Sequence, residues 1–279
     1  MDLSSLPGFR DFYPEQMSLR KHIVSVWRTV AERYGFVEYD GPPLEPLDLY
    51  VRKSGEEIVG QLYRFTDQGG REVALRPEMT PSFARMVGAR AAGLPKPIRW
   101  YSIPQLFRYE KPQKGRLREH FQLNLDIVGE AGDLADSEII AAAVDMLRAF
   151  GLRAEDFVVR ISDRALVGAL LSAHGVPEAA HGAAFAALDK LDREGEESIL
   201  ERLKGAGASD VDARRLLGIA ELSLEDIVAS AGGAPQVRES AARLGRVFEN
   251  LESFGLSDFV RFDPSLVRGL AYYTCLLYT

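Results

Sequence analysis

Cysteine and histidine are scarce in this sequence: one Cys, Cys275, and four His in 279 residues. A single thiol excludes an internal disulfide framework and a cysteine-built zinc site, and suits a reducing compartment. The four histidines, at positions 22, 120, 174 and 181, are scattered, so no metal site is expected. No run approaches the roughly 20 apolar residues of a membrane span. Met1-Asp2-Leu3-Ser4-Ser5 has neither the basic nor the apolar stretch of a secretory signal. A cytoplasmic protein without membrane contact is the expectation. Also missing are the Gly-x-x-x-x-Gly-Lys-Ser/Thr run that cradles phosphates, the glycine fingerprint of a dinucleotide fold, and a serine in a nucleophile elbow. Any nucleotide site must use another design, and hydrolase chemistry at a serine or at Cys275 has little support.

What is present fits a globular chain: 46% hydrophobic and 27% charged residues, enough for one large domain or two ordinary ones. The net charge of -7 is unevenly spread, +2 over residues 1–130 and -9 over 131–279. Positive charge is densest at 99–118, where Arg99, Arg108, Lys111, Lys114, Arg116 and Arg118 accompany only Glu110. Such a cluster is either a solvated face or a site for phosphate or a polyanion.

Apolar positions Leu19, Ile23, Val26, Trp27, Val30 and Tyr34 predict an amphipathic helix over 15–34 that stops at Gly35. Phe36 to Pro46 reads as a short extended segment. Residues 62–66 and 72–76 flank Asp67-Gln68-Gly69-Gly70 as a hairpin, and a helix follows Pro81. Ile98 to Glu110 reads as one strand and Arg118 to Val128 as the returning one. In the latter, Phe121, Leu123, Leu125 and Ile127 alternate with Arg118, His120, Gln122, Asn124 and Asp126. The polar ladder is either a wet sheet face or a binding surface. Asp136 and Ser137 are expected to cap a helix ending at Gly151, and Phe157–Ile161 is a short β run. Residues 163–254 are alanine-rich, helical and acidic, without repeats, and β character returns at 258–262.

Arginines on antiparallel strands can bind phosphate, because a guanidinium offers forked donors and stays charged. Arg108, Arg116 and Arg268 are the candidates, each equally able to serve as a surface or ion-paired residue. His120 is either a general base or a hydrogen-bonded sheet histidine.

Four segments, in order, resemble the histidyl-tRNA synthetases, a family of class II aminoacyl-tRNA synthetases. Gly8-Phe9-Arg10-Asp11, the helix after it and Pro43 are similar to the N-terminal segment and motif 1, the dimer-forming element. Leu75-Arg76-Pro77-Glu78-Met79-Thr80-Pro81 is similar to the amino-acid-binding loop. Phe107 to Arg116, with the strand through Gln122 and Asp126, resembles motif 2, and Arg268-Gly269-Leu270-Ala271-Tyr272-Tyr273-Thr274 the histidine-specific signature.

The resemblance implies an α+β fold, a class II synthetase-like antiparallel sheet flanked by helices with an inserted helical module. It implies a catalytic core over 1–162, the insertion over 163–254 and the core again over 255–279. The implied activity joins histidine to ATP as histidyl-adenylate and passes it to the 3′ end of histidine tRNA. Magnesium accompanies the ATP, no tightly bound cofactor is needed, and the protein is a homodimer through the motif 1 region. By resemblance, Arg108 and Arg268 are catalytic, holding the α-phosphate from two sides. Arg108, Glu110, Arg116 and His120 bind ATP, Glu110 at the adenine amino group and Arg116 at the distal phosphates. Glu78, Met79, Thr80, Arg108, Gln122, Asp126, Arg268, Tyr272 and Tyr273 bind histidine. Two positions depart from the common pattern: His120 stands where many members stack an aromatic residue on adenine, and Ala271 where many have Asp. The alternative is a silent paralogue resembling the regulatory subunit of ATP phosphoribosyltransferase, which has no need of the ATP-binding arginines. A synthetase continues beyond Thr274 with motif 3 and an anticodon-binding domain. The sequence is therefore expected to be C-terminally truncated, with a foreign tail over 275–279, and inactive as it stands.

Overall fold

The computed structural model describes residues 3–52, 60–111, 115–191, 194–267 and 276–278. The chain divides into two compact units, Met1–Glu130 and Ala131–Thr279. The first runs α1 (Pro14–Arg33), β1 (Val37–Glu38), β2 (Leu44–Pro46), β3 (Arg64–Thr66), β4 (Glu72–Leu75), α2 (Thr80–Arg90), β5 (Ile98–Ser102), β6 (Gln105–Phe107), β7 (Glu119–Phe121) and β8 (Asn124–Val128). The helix expected at 15–34 is α1. Pro14 opens it, where a missing N–H costs nothing, and Gly35 at φ +76° closes it. Phe36 N donates to Ala31 O and Gly35 N to Glu32 O, which satisfies the last carbonyls. The expected hairpin is β3–β4, and β4 also pairs with β2, all antiparallel.

β5 is flanked by β1, parallel, and β8, antiparallel; β6 and β7 form a separate antiparallel pair. The strands expected as continuous over 98–110 and 118–128 are thus each split. Pro104 has no N–H for the ladder. Its carbonyl accepts from Gln122 N at 3.2 Å, so the breaks in the two strands face each other.

The second unit runs α3 (Asp133–Ala149), β9 (Val159–Asp163), α4 (Arg164–Ala173), α5 (His181–Leu188), α6 (Glu196–Gly205), α7 (Asp210–Leu217), α8 (Leu224–Ser230), α9 (Pro235–Ser253), β10 (Val260–Phe262) and β11 (Leu276–Tyr278). β9 lies between β10, parallel, and β11, antiparallel. α3 starts earlier than expected, with Gly132 at its N-cap. Ser137 is buried within it instead of capping it, donating to Asp133 O at 2.8 Å and accepting from Asn250 Nδ2 at 3.2 Å. α9 buries Val237, Ala241, Leu244, Val247 and Leu251, a stripe at helical spacing. Among the described residues no helix is long and apolar enough to cross a membrane.

Candidate functional site

The site is built on β5 and β8. Cross-strand neighbours share a sheet face, and the register sets Asn124 opposite Ser102 and Asp126 opposite Trp100. Val37 is opposite Trp100 on the other side, so Tyr39, two residues on, returns to the same face. Tyr39 lies 5.4 Å from Trp100 and 5.4 Å from Phe83 of α2, centroid to centroid. The polar half of the predicted ladder therefore stands beside an aromatic cluster of Tyr39, Phe83 and Trp100. Tyr39 Oη donates to Asp126 Oδ2 at 3.5 Å. Burial raises the Asp126 carboxyl from 3.8 to about 6, with the Tyr39 hydrogen bond opposing it. Gln122 Nε2 donates to Asn124 Oδ1 at 2.8 Å, which joins Gln122 to the same polar row. The apolar half is less deeply covered than the alternation predicts: Phe121, Leu123, Leu125 and Ile127 are all half-buried.

The loop after β4 is held from beneath by Arg76, only 5% exposed. Its Nη1 donates to Asp40 Oδ1 at 2.6 Å and Gly41 O at 2.7 Å, and its Nε to Gln105 O at 3.0 Å. Met79 is buried, its Sδ 3.9 Å from Arg76 Nη1, while Glu78 is half-buried and Thr80 exposed. Arg108 Nε donates to Pro77 O at 3.1 Å. Arg108 thereby joins the β6–β7 hairpin to the loop that bears Glu78 and Thr80.

At the loop end of the hairpin, between β6 and β7, Arg116 and Glu110 form an ion pair, with Nη2 donating to Oε1 at 3.0 Å. His120, opposite the fully buried Leu106, is half-buried. Burial, then the charge of Arg108, lowers its imidazole below the ordinary value, which favours the neutral ring. Arg268, Tyr272 and Tyr273 lie outside the described residues. Among the described residues no group of three or more His, Cys, Asp or Glu is placed to hold a metal ion.

Four contributors carried no assigned role in the sequence reading: Tyr39, Trp100, Arg76 and Glu119. Trp100 belongs to β5 and Tyr39 follows β1, and only the strand register brings them to Asp126. Arg76 figured only as a member of the loop motif and Glu119 not at all, yet Glu119 is 1% exposed and accepts from Arg10 and Gln105.

This fold is shared with solved structures of the class II synthetase type. The crystal structure of histidyl-tRNA synthetase from Nostoc sp. PCC 7120 matches with a TM-score of 0.88 at 22% identity, over 100% of this chain and 64% of that one. An ATP phosphoribosyltransferase regulatory subunit/histidyl-tRNA synthetase from Bacillus halodurans matches with a TM-score of 0.86 at 26% identity, over 100% of this chain and 72% of that one. The sequence is more specific than the fold: the chain belongs to the histidyl-tRNA synthetase family, whose profile matches residues 8–279. Histidine–tRNA ligase of Opitutus terrae is 47% identical over 278 residues, 97% of this chain. The chain spans 63% of that relative's length.

Proposed function

We propose that the protein of which this chain forms part is a histidine–tRNA ligase, which activates histidine with ATP and transfers it to histidine tRNA. The observation that carries the reading is the Arg108–Pro77 contact. It joins an arginine suited to an α-phosphate and a carboxylate to the loop suited to an amino group. Attack of the histidine carboxylate on the α-phosphate builds negative charge on phosphoryl oxygens, so the protein's task is positioning and electrostatic stabilisation, with no side-chain nucleophile. Arg108 and Arg268 hold the α-phosphate and carboxylate. Glu78 and Thr80 bind the ammonium group, supported by the buried Met79. Asp126, with Gln122, Tyr272 and Tyr273, binds the imidazole: its carboxylate accepts a ring N–H, and a substrate lacking that donor leaves the half-buried carboxylate with the Tyr39 hydroxyl but without the ring donor.

Glu110 and Arg116 exchange their mutual ion pair for the adenine amino group and the distal phosphates, and the neutral His120 lies against the base. Magnesium enters as the counter-ion of ATP and is substrate-borne. Residues 1–162 and 255–279 form the catalytic core, and 163–254 the inserted module. A homodimer through α1 is supported by that helix's poor cover. Only Val30 and Ala31 are buried, Leu19 is 62% exposed, and an apolar groove of about 500 Å³ lies between Phe12, Ile23, Trp27 and Phe121. A cytoplasmic location suits a tRNA substrate.

The test is histidine-dependent ATP–pyrophosphate exchange by the complete protein. Exchange that requires histidine is expected. Binding of both ligands without exchange rejects the ligase reading in favour of a silent regulatory paralogue.

A further inference from the structure

The N-terminal arm, residues 7–12, lies along the β6–β7 hairpin and is joined to both of its strands. Gly8 O accepts from Arg118 N at 2.9 Å, and Pro7 O from Arg118 Nη1 at 3.3 Å. The same arginine donates through Nε to Glu110 O at 3.0 Å and lies 4.4 Å from the Tyr109 ring centroid. Two residues further along the arm, Arg10 Nε donates to Glu119 Oε1 at 2.8 Å, and Gln105 Nε2 donates to Glu119 Oε2 at 2.7 Å. Glu119 is 1% exposed, so Arg10 is the charge that makes its burial tolerable. Phe9 packs on Tyr63 and Phe107, and Phe12 on Phe121. The fit is close: Gly8 has φ +88°, and a Cβ there would stand 2.8 Å from Arg118 Cγ.

The hairpin needs support. Its strands are three residues each, and a two-stranded hairpin is marginal by itself. It nevertheless carries Arg108, Glu110 and Arg116, groups whose use depends on being held in place. We infer that the arm braces the hairpin, with Arg10 and Glu119 as positioning residues that hold its ATP-binding groups in register. The inference rests on the proposed assignment of Glu110 and Arg116 to ATP. The polar row at Asp126 stands on β8, paired with β5, outside the braced pair. Loss of the brace therefore weighs unequally on the two substrates: ATP depends on Arg108, Glu110 and Arg116, all on the hairpin, whereas histidine loses firm hold only at Arg108 and keeps its contacts on β8 and the Glu78 loop.

The test uses Arg10→Ala, Arg10→Lys, Glu119→Gln and Gly8→Ala in the complete protein, with two readouts. In hydrogen exchange, Arg10→Ala and Gly8→Ala are expected to accelerate the amides of Arg108 and Arg118 while the β5–β8 amides stay protected. In kinetics, Arg10→Ala is expected to raise KM for ATP about tenfold, the scale of one charge-assisted hydrogen bond to a buried carboxylate, and KM for histidine by a smaller factor of about threefold at most, through Arg108 alone. Arg10→Lys keeps one donor and is expected to restore most of the loss. Arg10→Ala with Glu119→Gln is expected to be no worse than Arg10→Ala alone, because the buried charge is then gone. Unchanged hairpin exchange in Arg10→Ala overturns the brace. So does an equal rise in both KM values with no selective change at Arg108 and Arg118. If the wild-type protein shows no histidine-dependent chemistry, the proposed function falls, while the exchange experiment still decides whether the arm braces the hairpin.

Discussion

Arg76 and Asp40 form an ion pair buried on one side only: Nη1 and Oδ1 are 2.6 Å apart, with the arginine side chain 6% exposed and the aspartate 64% exposed. The asymmetry identifies which partner matters. Asp40 keeps its water when unpaired, whereas Arg76 also serves Gly41 O and Gln105 O. Arg76→Ala is expected to cost about 2–4 kcal/mol in urea denaturation, from lost charged hydrogen bonds and lost packing beneath Met79. Asp40→Ala is expected to cost less than about 1 kcal/mol. Equal losses would show that the ion pair, and not the carbonyl contacts, holds the loop.

Asp126 predicts a pH dependence with a definite sign. Its carboxyl is raised by burial from 3.8 to about 6 in the folded chain. Between these values the unfolded chain has already lost the proton that the folded chain keeps, so stability falls as pH rises through the window and levels off above it. Asp126→Asn is expected to match the wild type near pH 3.5 and to be more stable at pH 7.5, by about 1–2 kcal/mol after allowance for its partial exposure. The affinity for histidine should move the other way. A carboxylate is needed to accept the ring N–H, so KM for histidine is expected to rise below about pH 6 in the wild type. A flat profile from pH 5 to pH 8 would remove Asp126 from the pocket.

Local pattern made much of this readable. The stripe from Leu19 to Tyr34 and the glycine after it located α1, because a helix end needs a left-handed residue. Alternation located the polar row of β8, and motif resemblance located the loop at Glu78. Long-range pairing carries no local signal. Nothing near Tyr39 in sequence announces Asp126, 87 residues away, and nothing about Glu119 distinguishes a buried carboxylate from an exposed one. The split of each long strand was legible in part, since Pro104 cannot donate to a ladder. That Gln122 would answer it from the other strand was not. Ser137 misled because a serine before an apolar run favours a cap, yet here its hydroxyl bonds back to Asp133 O inside the helix.

Arg116 is expected to separate substrate binding from folding. Its side chain is 63% exposed, while that of its described partner Glu110 is 14% exposed, an ion pair open to water on the arginine side and of modest weight for stability. Arg116→Ala is therefore expected to cost no more than about 1 kcal/mol in urea denaturation. The same change removes a forked donor from the distal phosphates, and KM for ATP is expected to rise at least about tenfold. Arg268→Ala should differ in kind, slowing adenylate formation far more than it weakens histidine binding. If Arg116→Ala leaves KM for ATP unchanged, its assignment to the distal phosphates is wrong.

In the second unit the decisive group is Asp163, fully buried where β9 turns into α4. One oxygen caps α4 by accepting from Ala165 N at 2.7 Å, and the other accepts from Arg243 Nη2 of α9 at 2.6 Å. One carboxylate thus fastens the longest helix of the module to the sheet strand from which the module departs. Arg243→Ala leaves that carboxylate buried with its neutral donor as the remaining strong contact, and about 3–5 kcal/mol of destabilisation is expected. Asp163→Asn keeps the cap and carries no charge, so it should cost less, about 1–2 kcal/mol. The combination distinguishes charge from packing. If the uncompensated charge is what destabilises Arg243→Ala, adding Asp163→Asn restores part of the loss, and the double variant is more stable than Arg243→Ala alone. If the double variant is the less stable by the sum of the two single losses, Arg243 acts through packing alone. Urea denaturation of the four proteins at pH 7 decides between them.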